Sequence, residues 1–132
     1  METNAAIEIH DSTLERIERS GVDVIAVIDA YVHLSAGQPG VDRGTGWKQP
    51  VRLRFLGGTA SGNVNDVPME LFDGRLVLSG ESFSNIIPMP LTHVGPSRTE
   101  LESWNDVSIV IDGNGVEGEF AGPPVYVEEF EP

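Results

Sequence analysis

The sequence predicts an all-β protein, a single-domain antiparallel β-sandwich or partly open β-barrel with at most one short helix. Apolar residues alternate with polar ones or cluster in short β-branched runs, and Gly, Pro, Asn and Asp separate these runs. The regular spacing of the runs is typical of sandwiches and barrels. Because 132 residues are about the length of one domain, we expect residues 1–132 to share one core.

Two strands are clearest from their patterning. The longest apolar run, Val22–Ser35, has apolar side chains at both parities, so it either is buried on both faces or bends midway, and a central strand fits it best. In the run Val51–Leu56, apolar residues alternate with Arg52 and Arg54. This alternation is typical of a sheet with one face in water, and it predicts that both arginines point to solvent.

Turn residues predict two hairpins and a terminal strand. Asp-Gly tolerates the positive φ angles of a type I′ turn, so residues 73–74 are predicted to join strands at 70–72 and 75–79. The glycine-rich residues 112–115 are predicted to form the tip between strands at 107–111 and 116–120. A closing strand is predicted at Tyr126–Phe130.

The segment Ser12–Ser20 is ambiguous between helix and strand. Ser12 and Glu15 have the spacing of a helix capping box, and Leu14 and Ile17 lie three residues apart. A helix this short would bury only two apolar side chains. We therefore favour a strand at Leu14–Arg19 that turns at Ser20-Gly21 into the next one.

Two further segments do not match a central strand. Ala36–Pro50 contains four glycines and two prolines, which predicts a long connection, and such loops are usually functional or disordered. Ser82–Pro96 contains the apolar stretch Ile86-Ile87-Pro88-Met89, whose proline favours an edge strand or an extended crossover.

The charge of the chain limits its partners. It has 21 acidic and 8 basic residues, for a formal net charge of −13. Nucleic acids and anionic membranes bind through clusters of Lys and Arg, so we expect neither as a partner. An acidic field would instead steer a basic protein or a cation towards the chain. Met1–Ile9 lacks the features of a signal peptide, and no apolar run is long enough to span a bilayer, which predicts a cytoplasmic protein.

The sequence provides no complete catalytic or metal motif. His10-Asp11-Ser12 has the residue types of a hydrolase triad, but contiguous residues cannot assemble one, so Asp11 or Ser12 more simply caps a turn. The three histidines, His10, His33 and His93, lie far apart in the sequence and match no zinc spacing. The chain has no cysteine. We therefore predict no metal, no cofactor and no catalytic residue.

The candidate binding residues fall into two groups. Trp47 lies beside Lys48 and near Arg43 in the predicted loop, and Trp and Arg are enriched where proteins bind each other. Alternatively, Trp47 covers one end of the core while Arg43 pairs with an acid. The second group would line the pocket of a ligand-binding or enzymatic barrel, and it consists of His10, Asp11, Tyr31 and His33.

The opening of the chain resembles small uncharacterised bacterial β proteins that begin with His-Asp-Ser, some of which look like immunity proteins. The resemblance covers about the first thirty-five residues, through His10-Asp11-Ser12, Leu14, Ile17, Gly21 and the long strand. It implies a compact β domain that binds a protein. With the charge, this favours a non-catalytic binding module for a basic partner. A further alternative is a structural homo-oligomer joined by an exposed edge strand or by Ile86, Ile87 and Met89.

Overall fold

The computed structural model describes residues 4–132, and in this range the chain forms eleven β-strands and no helix. None of these residues therefore forms a helix that could cross a membrane. The strands are β1 (Asn4–Ser20), β2 (Asp23–Ser35), β3 (Gly44–Phe55), β4 (Thr59–Gly62), β5 (Met69–Glu70), β6 (Asp73–Leu78), β7 (Glu81–Ser84), β8 (Ile86–Met89), β9 (Leu91–Glu102), β10 (Ser108–Phe120) and β11 (Val125–Phe130).

All strands belong to one antiparallel sheet that curls strongly into a half-barrel, which agrees with the predicted all-β fold class. The main path runs β5-β1-β2-β3-β10-β9-β6-β7, while β8 pairs with β1, β4 with β10, and β11 with β3. Asn85 links the two sides of the curl, because its N–H donates to Gly74 O (2.9 Å) and its C=O accepts from Ile9 N–H (2.8 Å).

The hydrophobic core fills the inside of the curl and confirms the strand patterns. Val51, Leu53 and Phe55 of β3 are fully buried, whereas Arg52 and Arg54 lie on the outer face. The central strand β2 is confirmed as well, since most of its side chains are buried on both faces. The core side chains contributed by the other long strands include Ile7, Ile9, Leu14, Leu101, Ile109, Ile111 and Val116.

The ambiguous segment Ser12–Ser20 is a strand, part of β1, and the helical alternative is wrong. Leu14 is completely buried and Ile17 is half-buried. Residues Ser20 and Asp23 pair with each other around the turn into β2. Gly21 in this turn has a φ of 62°, which supports the predicted turn at Ser20-Gly21.

Both predicted hairpin turns are wrong. Asp73 and Gly74 lie inside β6, and the turn falls at Ser79-Gly80, whose φ angles of 47° and 91° suit a type I′ turn between β6 and β7. Residues 112–115 lie within β10, which continues through an irregularity between Gly113 and Gly115.

The connection predicted at Ala36–Pro50 is shorter than expected, because β3 already begins at Gly44. Arg43 remains in the loop, whereas Trp47 and Lys48 lie on a strand. Ile86–Met89 forms an edge strand against β1, as predicted. Ile87 and Met89 are buried in the core, and of the three apolar residues only Ile86 is partly exposed.

Candidate functional site

An exposed tryptophan, Trp104, lies at the tip of the hairpin that joins β9 to β10. Asn105 and Asp106 form the two central residues of the turn, both with a φ of 61°. Val107 N–H donates to Trp104 O (3.3 Å), and Ser103 N–H donates to Val107 O (2.8 Å). Positive φ at both positions is the geometry of a type I′ turn, which holds Trp104 at the end of a regular ladder with 59% of its surface exposed.

The ring of Trp104 is held by the ring of Phe72. The two rings stack with centroids 4.9 Å apart and planes 24° apart. The backbone of Phe72 is fixed in turn, because its N–H donates to Glu102 O (3.0 Å) and its carbonyl lies 3.0 Å from His10 Nδ1. A carbonyl oxygen only accepts, so His10 carries a proton on Nδ1 here. The stacked pair is therefore a rigid aromatic platform.

Trp104 lines two clefts. One, of about 370 Å³, lies over Phe72 and the hairpin residues 102–108. The other, of about 230 Å³, lies between Trp104, strand β5 at Glu70, and residues 10–13 of β1. Exposed carboxylates border both clefts. We call the following set the Trp104 surface: Phe72, Trp104, Asp11, Glu70, Glu102 and Asp106.

The His10-Asp11-Ser12 segment positions Asp11 beside this surface. It forms an irregularity in β1, where the register against β2 shifts between Glu8 and Thr13 and Asp11 has a φ of 73°. Ser12 is buried, and its hydroxyl accepts from Tyr31 N–H (2.9 Å) and donates to Glu8 O (2.5 Å). The Ser12 hydroxyl thus provides hydrogen bonds where the pairing of β1 with β2 is interrupted. Asp11 turns outward, where its carbonyl accepts from Lys48 Nζ (2.5 Å).

A second cluster lies on the outer face of β2, beneath β11. Tyr31 donates to Glu128 Oε1 (2.6 Å), and the ring of His33 packs edge-on against Phe130, with centroids 4.8 Å apart. Both side chains reach β11 across β3, where Gly46 leaves the space. A Cβ on Gly46 would lie 1.9 Å from the Tyr31 hydroxyl. These contacts hold β11 on the sheet.

His33 and Glu8 form a nearly buried pair in this cluster. His33 Nε2 lies 2.9 Å from Glu8 Oε2, and within residues 4–132 His33 Nδ1 has no hydrogen-bond partner. The hydrogen bond from His33 holds the pKa of Glu8 below its usual value, against the opposing effect of burial. Burial, together with the bond to Glu128, raises the pKa of Tyr31.

The Glu8→Gln variant is expected to lose stability less steeply in acid than the wild type. Because folding lowers the pKa of Glu8, its contribution is present above the unfolded pKa, near 4.5, and is lost as the pH falls through the lower folded pKa. Urea unfolding at pH 7, 5, 4 and 3 measures this slope. The exposed Glu81→Gln is the matched control and keeps the wild-type slope. Equal slopes for wild type and Glu8→Gln would contradict the assignment.

The residues first predicted for binding mostly serve other contacts. Trp47 is half-buried, packs against the core, and donates from Nε1 to Thr45 Oγ1 (2.8 Å). Arg43 pairs with Glu131 (3.4 Å). This arrangement matches the alternative in which Trp47 covers one end of the core. Of the three, Lys48 alone lines a cleft of the Trp104 surface.

The predicted pocket residues do not meet in one cavity. His10 and Asp11 line the smaller cleft, whereas Tyr31 and His33 lie under β11 with Glu8 and Glu128. In the described part of the chain, no three His, Asp or Glu side chains are grouped to hold a metal ion. His93 instead lies 2.9 Å from the hydroxyl of Ser79.

Sequence reasoning missed Trp104. The available signal was Trp104-Asn105-Asp106 between two apolar runs, since Asn and Asp tolerate the positive φ of a hairpin turn. Comparisons of the chain with protein-family models, with curated proteins and with solved structures found no match.

Proposed function

We propose that this chain is a non-catalytic binding module that recognises a basic protein partner through the Trp104 surface. Trp104 itself carries the proposal. It is a large aromatic side chain held in one orientation, yet more than half exposed. Tryptophan is enriched at binding hot spots, and a rigid side chain loses little conformational entropy when a partner covers it.

The surroundings of Trp104 favour a cationic partner. An arginine or lysine of the partner can lie over the indole face, where the ring quadrupole attracts it, while a carboxylate accepts its hydrogen bonds. Four carboxylates of this surface are exposed around the ring: Asp11, Glu70, Glu102 and Asp106.

The distribution of ion pairs strengthens this argument. Six of the seven arginines form ion pairs with carboxylates of the chain itself: Arg16, Arg43, Arg52, Arg54, Arg75 and Arg98. Within residues 4–132, by contrast, Glu70, Glu102 and Asp106 have no ion pair with Arg or Lys. Lys48 lines the smaller cleft, but four exposed carboxylates surround Trp104, so the local charge stays negative and favours steering of a positively charged surface.

An immunity-like role is the more specific form of this proposal, in which the basic partner is a toxin and the complex forms in the cytoplasm. The resemblance of the first thirty-five residues supports this form. Adjacent genes test it, because an immunity protein is encoded beside the toxin that it binds.

Replacing Trp104 by alanine is expected to weaken binding of the partner about thirtyfold, since truncating a hot-spot tryptophan costs about 2 kcal/mol. The wild-type protein is immobilised, proteins retained from the source cell are eluted with salt, and the main one is identified. Its affinity for wild type and for Trp104→Ala is then measured by calorimetry. We expect a protein with positive net charge.

Two matched pairs serve as controls. Val94→Ala removes another exposed apolar side chain, and it should bind like the wild type. Glu70→Gln and Glu81→Gln change the net charge equally, but only Glu70 belongs to the Trp104 surface, so only Glu70→Gln should weaken binding. Retention of no protein, retention of an acidic protein, or equal affinity for wild type and Trp104→Ala would refute the proposal.

A further inference from the structure

The C-terminal strand β11 is an open edge of the sheet. Within residues 4–132 it pairs with β3 alone, so one row of its N–H and C=O groups has no strand partner. Three consecutive apolar side chains on it are exposed: Val125 at 64%, Tyr126 at 50% and Val127 at 45%. A single irregularity, between Tyr126 and Glu128, interrupts its pairing with β3.

Such an edge usually carries protection against pairing. Natural sheets shield edges with lysines, prolines, short strands or inward-pointing charges. β11 contains neither lysine nor proline, and its protection is limited to one irregularity in the pairing and to the Glu128 carboxylate, which Tyr31 binds. The other described strands have no comparable run of exposed apolar residues, since the remaining large ones occur singly: Val22, Val41, Val94 and Trp104.

Side-chain contacts also keep β11 in an extended conformation. Tyr31 anchors Glu128, the ring of His33 packs on Phe130, and the ring of Trp47 packs edge-on against Tyr126, with centroids 5.2 Å apart. A strand that is already ordered spares an incoming segment part of the entropic cost of association.

We propose that β11 binds an extended, basic segment of a partner protein, which adds a strand to the sheet by backbone hydrogen bonding. Strand addition takes its affinity from the main chain and its specificity from alternate side chains. Glu128 and Glu129 are exposed on this strand, and Glu131, which pairs with Arg43, follows it, so lysines or arginines of the segment would lie beside carboxylates. A second copy fits poorly, because pairing would bring its own carboxylates close to these three.

This surface is distinct from the Trp104 surface, and the proposal shares with the proposed function only the charge of the partner. The test therefore uses defined probes. One is an acetylated octapeptide of alternating valine and lysine. The other has the same side chains, but alternate backbone nitrogens are methylated, so it keeps its charge and cannot extend a ladder.

Backbone amide hydrogen exchange of residues 125–130 is the measurement. The outward amides of β11 are expected to exchange at least tenfold more slowly with the first peptide and at the original rate with the methylated one. Val125→Lys should abolish the protection by repelling the peptide. Val94→Lys makes the same change in charge at an exposed valine of β9, and it should leave the protection intact.

Several outcomes would overturn the inference. If both peptides protect the β11 amides equally, the peptide binds through its charge and not by backbone hydrogen bonding. Protection without peptide that rises with protein concentration would mean that a second copy occupies the edge. Loss of protection in Trp104→Ala would place the peptide on the Trp104 surface, which would overturn the strand addition while agreeing with the proposed function. Conversely, a native partner that binds Trp104→Ala as tightly as the wild type would refute the proposed function. The protection of β11 by the peptide would be unaffected by that result.

Discussion

The Phe55→Ala variant is expected to unfold with a free energy about 3–5 kcal/mol lower than that of the wild type, the usual cost of truncating a buried phenylalanine. Phe55 is completely buried and lies between Val24 of β2 and Val116 of β10. Its surroundings cannot easily collapse into the space. A Cβ on Gly58 or Gly113 would lie only 3.2 or 3.1 Å from the Phe55 Cβ. The backbone at these two glycines therefore lies close to Phe55, and its own hydrogen bonds keep it from moving into a cavity.

Denaturant unfolding followed by circular dichroism gives this difference, provided that the transitions have the same slope. Phe55→Leu retains most of the apolar volume and should lose clearly less stability. Val94→Ala, at a valine that is 85% exposed, should change stability by less than about 0.5 kcal/mol. A loss below about 1 kcal/mol for Phe55→Ala would contradict the central place of β3 in the core.

The hydrophobic pattern predicted strands well because burial acts directly on side chains. Val51–Leu56 alternates in the sequence and in the structure alike, since one face of β3 meets the core and the other meets water. β2 has apolar residues at both parities because its outer face is also covered. There, Arg52 and Arg54 lie across Ile25 and pair with Glu18 and Asp23.

Glycine caused the errors in turn placement, because a glycine can serve either a positive φ or a close contact. Gly74 is buried, and a Cβ there would lie 2.9 Å from Ile9 Cγ2, so this glycine lets β1 approach β6. Gly46 similarly makes room for Tyr31. Between β6 and β7 the backbone turns instead at Ser79-Gly80. The sequence shows where a glycine stands, but it does not show whether that glycine adopts a positive φ angle or allows a close contact.

The candidate site was harder to predict than the fold. The Trp104 surface gathers Asp11, Glu70, Phe72 and Trp104 from three places along the chain, and their proximity depends on how far the sheet curls. Trp47 looked like the exposed aromatic because it follows several glycines. Gly44 and Gly46 lie in β3, however, and the neighbouring strand β2 fills the space above them, with its backbone at Gly44 and with the Tyr31 side chain at Gly46.

The Ser12→Ala variant is expected to lower the free energy of unfolding by about 2–3 kcal/mol, more than an average serine substitution. The hydroxyl of Ser12 is the partner of Tyr31 N–H and of Glu8 C=O where the ladder between β1 and β2 is interrupted. Alanine removes both hydrogen bonds, and a buried backbone group that is left unpaired costs about 1–3 kcal/mol. The same hydroxyl sets the turn that points Asp11 outward, so binding at the Trp104 surface should weaken as well.

Ser82→Ala, at an exposed serine of β7, is the matched control and should leave both stability and binding unchanged. The two readouts separate the roles of the His10-Asp11-Ser12 segment. If Ser12→Ala destabilises the fold and Asp11→Asn weakens binding without destabilising it, the serine shapes the backbone and the aspartate contacts the partner. A stable Ser12→Ala protein would show that the interrupted ladder does not depend on the hydroxyl, and the structural role assigned to this motif would be wrong.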